Sequence, residues 1–100
     1  MGTVELSLYP PLTARLAPRK RGVLQLEMEL RAGDTLGDLL DRLSAANPAG
    51  WLDIYDPQAR TVRPIIVVLH NGQGLPAATA ADTPLADGDR VTLRLVYGGG

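Results

Sequence analysis

The residues of this chain with chemical promise are few, and its last three concentrate that promise: Gly98, Gly99 and Gly100. Three glycines add no side chain to a core, so they read as a thin, flexible arm ending in a carboxylate, with residues 1–97 as the folded domain behind it. A carboxylate is a poor electrophile until its oxygen becomes a good leaving group. Adenylation by ATP achieves that, and a nucleophile can then displace AMP. Glycine suits such an end because, without a Cβ, it threads a narrow channel and lets backbone approach a nucleotide closely. Four residues beyond the last core contact would reach roughly 13–14 Å, enough to enter a cleft while the domain stays outside. On glycine count alone, however, a frayed terminus is the better reading.

The usual enzymatic constellations are weaker still. His70 is the only histidine. It follows a β-branched run and precedes a turn, and so reads as a strand-end residue filling space or making one hydrogen bond, not as a catalytic base. Ser7 and Ser44 have no base that the sequence places beside them. Asp87 and Asp89 flank Gly88, which suits a tight turn of polar, φ-tolerant residues better than metal ligation. Gly72-Gln73-Gly74 is too short for a phosphate loop and does not open a helix. Arg15, Arg19, Lys20 and Arg21 could steer an acidic partner but read as a solvated connection. With no cysteine in the chain, disulfides, thiolate metal sites and a cysteine nucleophile are excluded.

One hundred residues, 45% hydrophobic and 21% charged, predict a single globular domain. With one Trp, three Tyr and no Phe, the core must be built from Leu, Val, Ile and Ala. A net charge of −1 argues against a nucleic-acid binder that works by phosphate neutralisation. Met1-Gly2-Thr3-Val4-Glu5 enters alternation at once and no apolar run approaches membrane-spanning length, which predicts a cytoplasmic protein without a membrane partner.

The elements that must position the arm follow from periodicity. Val4, Leu6 and Leu8 alternate with polar residues as a first strand, which Tyr9-Pro10-Pro11 ends. Leu12 to Arg21 reads as an exposed basic loop, with Leu12 and Leu16 anchoring it. Leu24, Leu26, Met28 and Leu30 mark the clearest strand, expected to form an antiparallel hairpin with the first. Thr35 followed by Asp38 predicts a capped helix start. Leu36, Leu39, Leu40 and Leu43 then make one buried stripe, with Gly37, Asp38, Asp41 and Arg42 on the other faces and a stop near Ala46 before Asn47-Pro48. Trp51 to Tyr55 is either a brief strand or one helical turn. Ile65 to Leu69 is an uninterrupted run, expected to be a strand buried on both faces or twisted across an edge. Asn71-Gly72 is a turn, a short strand is possible near Leu75, and Val91, Leu93, Leu95 and Tyr97 alternate as the last strand.

This ββαββ order predicts an α+β domain with one main helix across one face of a mixed four- to five-stranded sheet. It resembles the β-grasp fold of ubiquitin, which implies that the first and last strands lie parallel at the sheet centre. Leu85-Ala86-Asp87-Gly88-Asp89-Arg90-Val91, a strand and a terminal glycine run closely resemble the end of the MoaD/ThiS family of sulfur carriers. Arg63-Pro64-Ile65-Ile66-Val67-Val68-Leu69-His70-Asn71-Gly72 and Gly33-Asp34-Thr35-Leu36-Gly37-Asp38-Leu39-Leu40 resemble two further family segments in the right order. The resemblance implies a carrier, not an enzyme, with no bound cofactor and monomeric when free. It implies that a ubiquitin-activating-type adenylyltransferase, using ATP and Mg²⁺, activates the Gly100 carboxylate. A sulfur source then leaves a thiocarboxylate that a biosynthetic enzyme accepts. Gly98 and Gly99 would thread the partner's active site, and Arg94, Val96 and Tyr97 would guide the arm there. A ubiquitin-like modifier joined to target lysines shares the activation chemistry; Lys20, the only lysine, leans mildly away from a chain-building tag. A third reading is a plain β-grasp interaction module with an inert tail.

Overall fold

Alternating apolar residues build the sheet two strands at a time. A computed structural model of the chain describes residues 2–96. Strand β1 (Gly2–Leu8) and strand β2 (Leu24–Leu30) pair antiparallel with Val4 opposite Met28, Leu6 opposite Leu26 and Leu8 opposite Leu24. These pairs share one face and form part of the core, while Thr3, Glu5, Ser7, Gln25, Glu27 and Glu29 alternate onto the other. The connection is not all loop, as the sequence suggested. It contains a short helix, α1 (Leu12–Leu16), because Leu12 is buried against the core and Leu16 packs beside it. Buried Thr13 fixes the loop's exit: its hydroxyl is shared between the carbonyls of Leu8 and Gly22, each at 2.9 Å.

Helix α2 (Leu36–Ala46) starts and stops where its residues dictate. The Thr35 hydroxyl accepts from the Asp38 N–H, and the Asp38 carboxylate accepts from the Thr35 N–H at 2.8 Å, a complete capping box. Leu36, Leu39 and Leu40 are fully buried against the inner face of the sheet, and Leu43 packs at the margin. Burial of each such leucine stabilises the fold by about 2 kcal/mol. Gly37 departs from the expected pattern, because it too is buried. A Cβ there would collide with the Arg60 guanidinium and lie 2.9 Å from the Ala81 Cβ and 3.0 Å from the Ala81 carbonyl. The helix is therefore covered on a second side by the 3₁₀ turn Ala80–Asp82.

The ambiguous stretch after α2 is both things in succession. Pro48–Trp51 forms one helical turn, α3, with the Asn47 side chain capping the Gly50 N–H. Ile54 then plugs the core, and β3 (Tyr55–Asp56) pairs with β4 (Thr61–Val62) in a separate two-stranded sheet. Tyr55 is fully buried with its hydroxyl donated to Asp41 at 2.7 Å. Burial, with the Asp41 hydrogen bond, pushes the phenol up to about 12.

Strands β5 (Ile66–His70) and β6 (Gln73–Leu75) form a tight hairpin whose turn residues, Asn71 and Gly72, have φ of 50° and 87°. The last strand, β7 (Arg90–Leu95), lies between β1, to which it is parallel, and β5, to which it is antiparallel. The five-stranded sheet thus has the order β2-β1-β7-β5-β6. The expected mixed sheet, its central parallel pair and the helix across one face are all present.

One prediction follows from Gly37. Helix propensity favours alanine over glycine by about 1 kcal/mol. The Ala81 carbonyl is backbone and cannot rotate away. Gly37→Ala should therefore lower stability, by about 1 kcal/mol or more net, in a denaturant titration. A stabilised variant would show that the 3₁₀ turn yields freely.

Candidate functional site

β7 is the strand that precedes the C-terminal glycines, and the turn before it fixes its start. Asp87 Oδ1 accepts the Thr3 N–H at 2.9 Å, and the Gly88 N–H donates to the Thr3 carbonyl at 2.8 Å. Gly88 has a φ of 85°, in the left-handed region that residues with a Cβ rarely adopt. Asp89 gathers three partners: the Ala86 N–H at 2.9 Å, the Asn71 amide at 3.0 Å and His70 Nε2 at 2.8 Å. The amide and imidazole contacts, in that order, hold its carboxyl down at about 2. His70 is thus the strand-end hydrogen-bonding residue that its context implied, and Asp87 and Asp89 serve a turn. Their carboxylates tie β1 and the β5–β6 hairpin to the start of β7.

At the other end of β7, the final sheet bond among the described residues runs from the Val96 N–H to the Ile65 carbonyl at 2.7 Å. Around this point the surface is apolar. Ile65 is 55% exposed, Val96 54% and Leu52 58%, with Tyr9 nearby, its N–H bonded to the Leu93 carbonyl. A groove of about 310 Å³ runs between Pro11, Leu12, Ala14, Arg15, Asp53, Ile65 and Leu95. Beside it, Arg15, Leu52, Asp53, Arg63, Pro64 and Ile65 border a broader, shallower depression. Arg15 pairs with Asp53 across the groove, and Arg63 bonds the Leu52 carbonyl at 3.0 Å.

The Ile65–Leu69 run is not buried on both faces. Ile66 and Val68 face the core; Ile65 is exposed, and Val67 and Leu69 are half-buried on the face that no helix covers. Cross-strand, Val67 stands opposite Arg94 and Leu69 opposite Thr92. The exposed run, Arg94 and Val96 therefore make one strip on the outer face, leading to the arm's root. Of the residues that the sequence assigned to guiding the arm, Arg94 and Val96 are placed here, both exposed. Tyr97, Gly98, Gly99 and Gly100 lie outside the described residues. Ile65 and Leu52 were not singled out beforehand. The signal available was arithmetic: one helix covers one sheet face, so a fully apolar strand must show half its side chains to solvent.

A mixed sheet with a central parallel pair, one helix across it and a last strand ending in an apolar surface define a ubiquitin-like β-grasp protein. The ThiS family model matches residues 12–100, and the chain belongs to the ThiS family. Among solved structures it is similar to SAMP1 from Haloferax volcanii, with 26% sequence identity and a TM-score of 0.70 over 99% of this chain and 100% of that one. It is also similar to Urm1 from Trypanosoma brucei, with 24% identity and a TM-score of 0.70 over 99% and 96% of the two chains. A chain of the BexX/CysO complex from Amycolatopsis orientalis shares 15% identity, with a TM-score of 0.61 over 95% and 99%. The last two likenesses are of fold. No curated protein matches the chain. No helix among the described residues is long and apolar enough to cross a membrane.

Two predictions follow. Asp89 has a carboxyl depressed from its ordinary 3.8 to about 2. The stability that it contributes is present above pH 4 and is lost as the pH falls through about 2. Asp89→Ala should cost about 2 kcal/mol at pH 7 and flatten the acid limb of a stability–pH profile. An unchanged acid limb would show that other carboxylates control it. The adjacent isoleucines give the second: Ile66→Ala should cost about 2–5 kcal/mol, whereas Ile65→Ala should stay within about 0.5 kcal/mol by the same titration. Equal losses would mean that Ile65 is a core residue and no part of a docking surface.

Proposed function

We propose that this protein is a sulfur carrier. A partner adenylyltransferase, using ATP and Mg²⁺, joins the Gly100 carboxylate to AMP with release of pyrophosphate. Sulfide then displaces AMP and leaves a terminal thiocarboxylate; a persulfide donor reaches the same product when the acyl disulfide it forms is cleaved by a second thiol, which leaves as a disulfide with the donor. The thiocarboxylate is a stronger, softer nucleophile than the carboxylate and delivers its sulfur to a substrate held by a biosynthetic enzyme. In this reading the protein is acted upon and performs no catalysis itself. The observation that carries the reading is that the family match runs through Gly100 while β7, the strand leading to the glycines, is fixed at the centre of the sheet.

The geometry supports a division of labour. The domain supplies a rigid base, and the strip of Ile65, Val67, Leu69 and Val96 supplies apolar surface for the partner. Arg94 lies on that strip and belongs to none of the ion pairs among the described residues, leaving its guanidinium for a partner carboxylate or nucleotide phosphate. Gly98 and Gly99 would pass the channel, and Tyr97 would mark its mouth. Exposed apolar residues in a contiguous strip are a common mark of a protein–protein contact.

A second reading, conjugation of Gly100 to lysines of other proteins, is favoured by the 26% identity to SAMP1 from Haloferax volcanii, a protein described as a small archaeal modifier. The two readings share activation and differ in what attacks the acyl-adenylate, a sulfur donor or a lysine amine.

Purification from native cells separates them. The carrier should show, by intact mass, the gain expected for exchange of one oxygen by one sulfur, and treatment with the activating enzyme, ATP and a sulfur donor should raise that fraction. Carboxylate alone after such treatment would overturn the carrier reading. Glycine remnants on lysines in digests of the same cells would establish the modifier. Deletion of Gly99 and Gly100 should abolish activation with the melting temperature nearly unchanged, since two glycines bring no side chain to the core.

A further inference from the structure

Three consecutive cations, Arg19, Lys20 and Arg21, lie exposed in the connection between α1 and β2. With Arg15 they place four of the chain's ten cationic residues between Glu5 and Glu27, and all eleven acidic residues lie outside that interval. Arg15 is paired with Asp53, and Arg31, Arg42, Arg60 and Arg63 each face a carboxylate. Arg19, Lys20 and Arg21 belong to no ion pair among the described residues. Neighbouring like charges repel one another, and no ion pair within the described domain offsets that cost here.

The backbone beneath these cations is tied down. The Lys20 N–H donates to the Ala17 carbonyl at 2.9 Å, and the Gly22 carbonyl accepts from the buried Thr13 hydroxyl at 2.9 Å. The turn is thus held to α1, which Leu12 anchors in the core, and less ordering remains to be done on binding. The sheet then sets where the cluster lies. Leu24 stands opposite Leu8, and Leu8 opposite Leu93, in the strand order β2-β1-β7. Two strand spacings, about 10 Å, therefore separate the start of β2 from Leu93, near the end of β7. That is about one Debye length at physiological ionic strength, so the cluster acts on a charged surface brought to the end of β7. Arg94, exposed and also outside the ion pairs, adds a cation at that end of the sheet.

We infer that Arg19, Lys20 and Arg21 dock a carboxylate-rich segment of the partner protein that handles the C-terminal glycines. A short acidic segment matches three cations on one turn. A nucleic-acid duplex carries a negative charge about every 1.7 Å along its axis, and beyond the turn it would run onto Glu27 and Glu29, exposed on β2. Charges at the rim of a contact act chiefly by speeding encounter and setting its salt dependence. The inference rests on the reading that a partner protein receives the chain's end, not on whether sulfur or lysine follows.

The test titrates the ¹⁵N-labelled full chain with acetyl-hexaglutamate amide and, separately, with a short RNA duplex. Saturable shifts from the peptide are expected at Arg19, Lys20, Arg21 and Gly22. Combining Arg19→Gln, Lys20→Gln and Arg21→Gln should weaken the peptide about tenfold, and the exposed positions should keep a dispersed, folded spectrum. Arg31→Gln, which removes a cation beyond the opposite end of β2, should leave the affinity unchanged. Unmoved signals, equal losses in the two variants, or peptide binding that survives the triple substitution would each overturn the proposal. Tighter binding of the RNA duplex at the same residues would assign the surface to nucleic acid and overturn it as well. With the activating enzyme, the triple variant should associate about tenfold more slowly at low salt, with dissociation little changed. Equal association rates would count against the docking role, whereas failure of that enzyme to adenylate the unaltered chain would sink the proposed function and leave the peptide result standing.

Discussion

The placement of β7 depends on the pairing of Asp89 with β1 on one side and the β5–β6 hairpin on the other. Through its own carbonyl Asp89 accepts the Glu5 N–H at 3.0 Å, and through its carboxylate it holds Asn71 and His70. The residue at the start of β7 is thereby bonded to β1 on one side and to the β5–β6 hairpin on the other. A parallel strand pair has no hairpin to set its register, because its connection must cross the domain. Here the Asp87–Asp89 turn supplies that missing registration, with Asp87 and Gly88 both clasping Thr3. A carboxylate held at about 2 stays ionised throughout the neutral range.

A central strand is a stiff one. β7 is hydrogen-bonded along both edges, and Val91 and Leu93 are completely buried beneath α2. Its end is consequently fixed to within the stiffness of the sheet, with the Val96 N–H bonded to the Ile65 carbonyl. An edge strand would let the root sway with fraying of the sheet. A central strand gives whatever follows Val96 a constant starting place.

The scaffold was legible in the sequence wherever periodicity and local chemistry agreed. The capping box at Thr35 and Asp38, the leucine stripe and the Asn71-Gly72 turn each follow from the side chains themselves, and the structure contains all three. Two readings failed for a common reason: both needed knowledge of what lies across the interface. Gly37 lacks a side chain, so no hydrophobic pattern registers it, yet the 3₁₀ turn packs on it. The Ile65–Leu69 run has the same composition whether its second face meets a helix or water. The α1 helix was hidden by charge, since Arg15 and its basic neighbours mask the short Leu12–Leu16 stretch that the core captures.

The outer strip shows why an apparent excess of apolar residues is informative in a domain this small. A strand open to solvent on one face is stable with polar residues there, and β1 and β2 follow that rule with Thr3, Glu5, Ser7, Gln25, Glu27 and Glu29. β5 breaks it, placing Val67 and Leu69 on the face where β1 and β2 place polar residues, and Ile65 continues the departure just before the strand begins. Core packing does not require this, because Ile66 and Val68 already fill the inner face. The departure is confined to the strand beside β7 and ends where Val96 meets Ile65. Apolar surface left over after the core is satisfied, and concentrated beside the end of β7, has the character of a protein–protein contact.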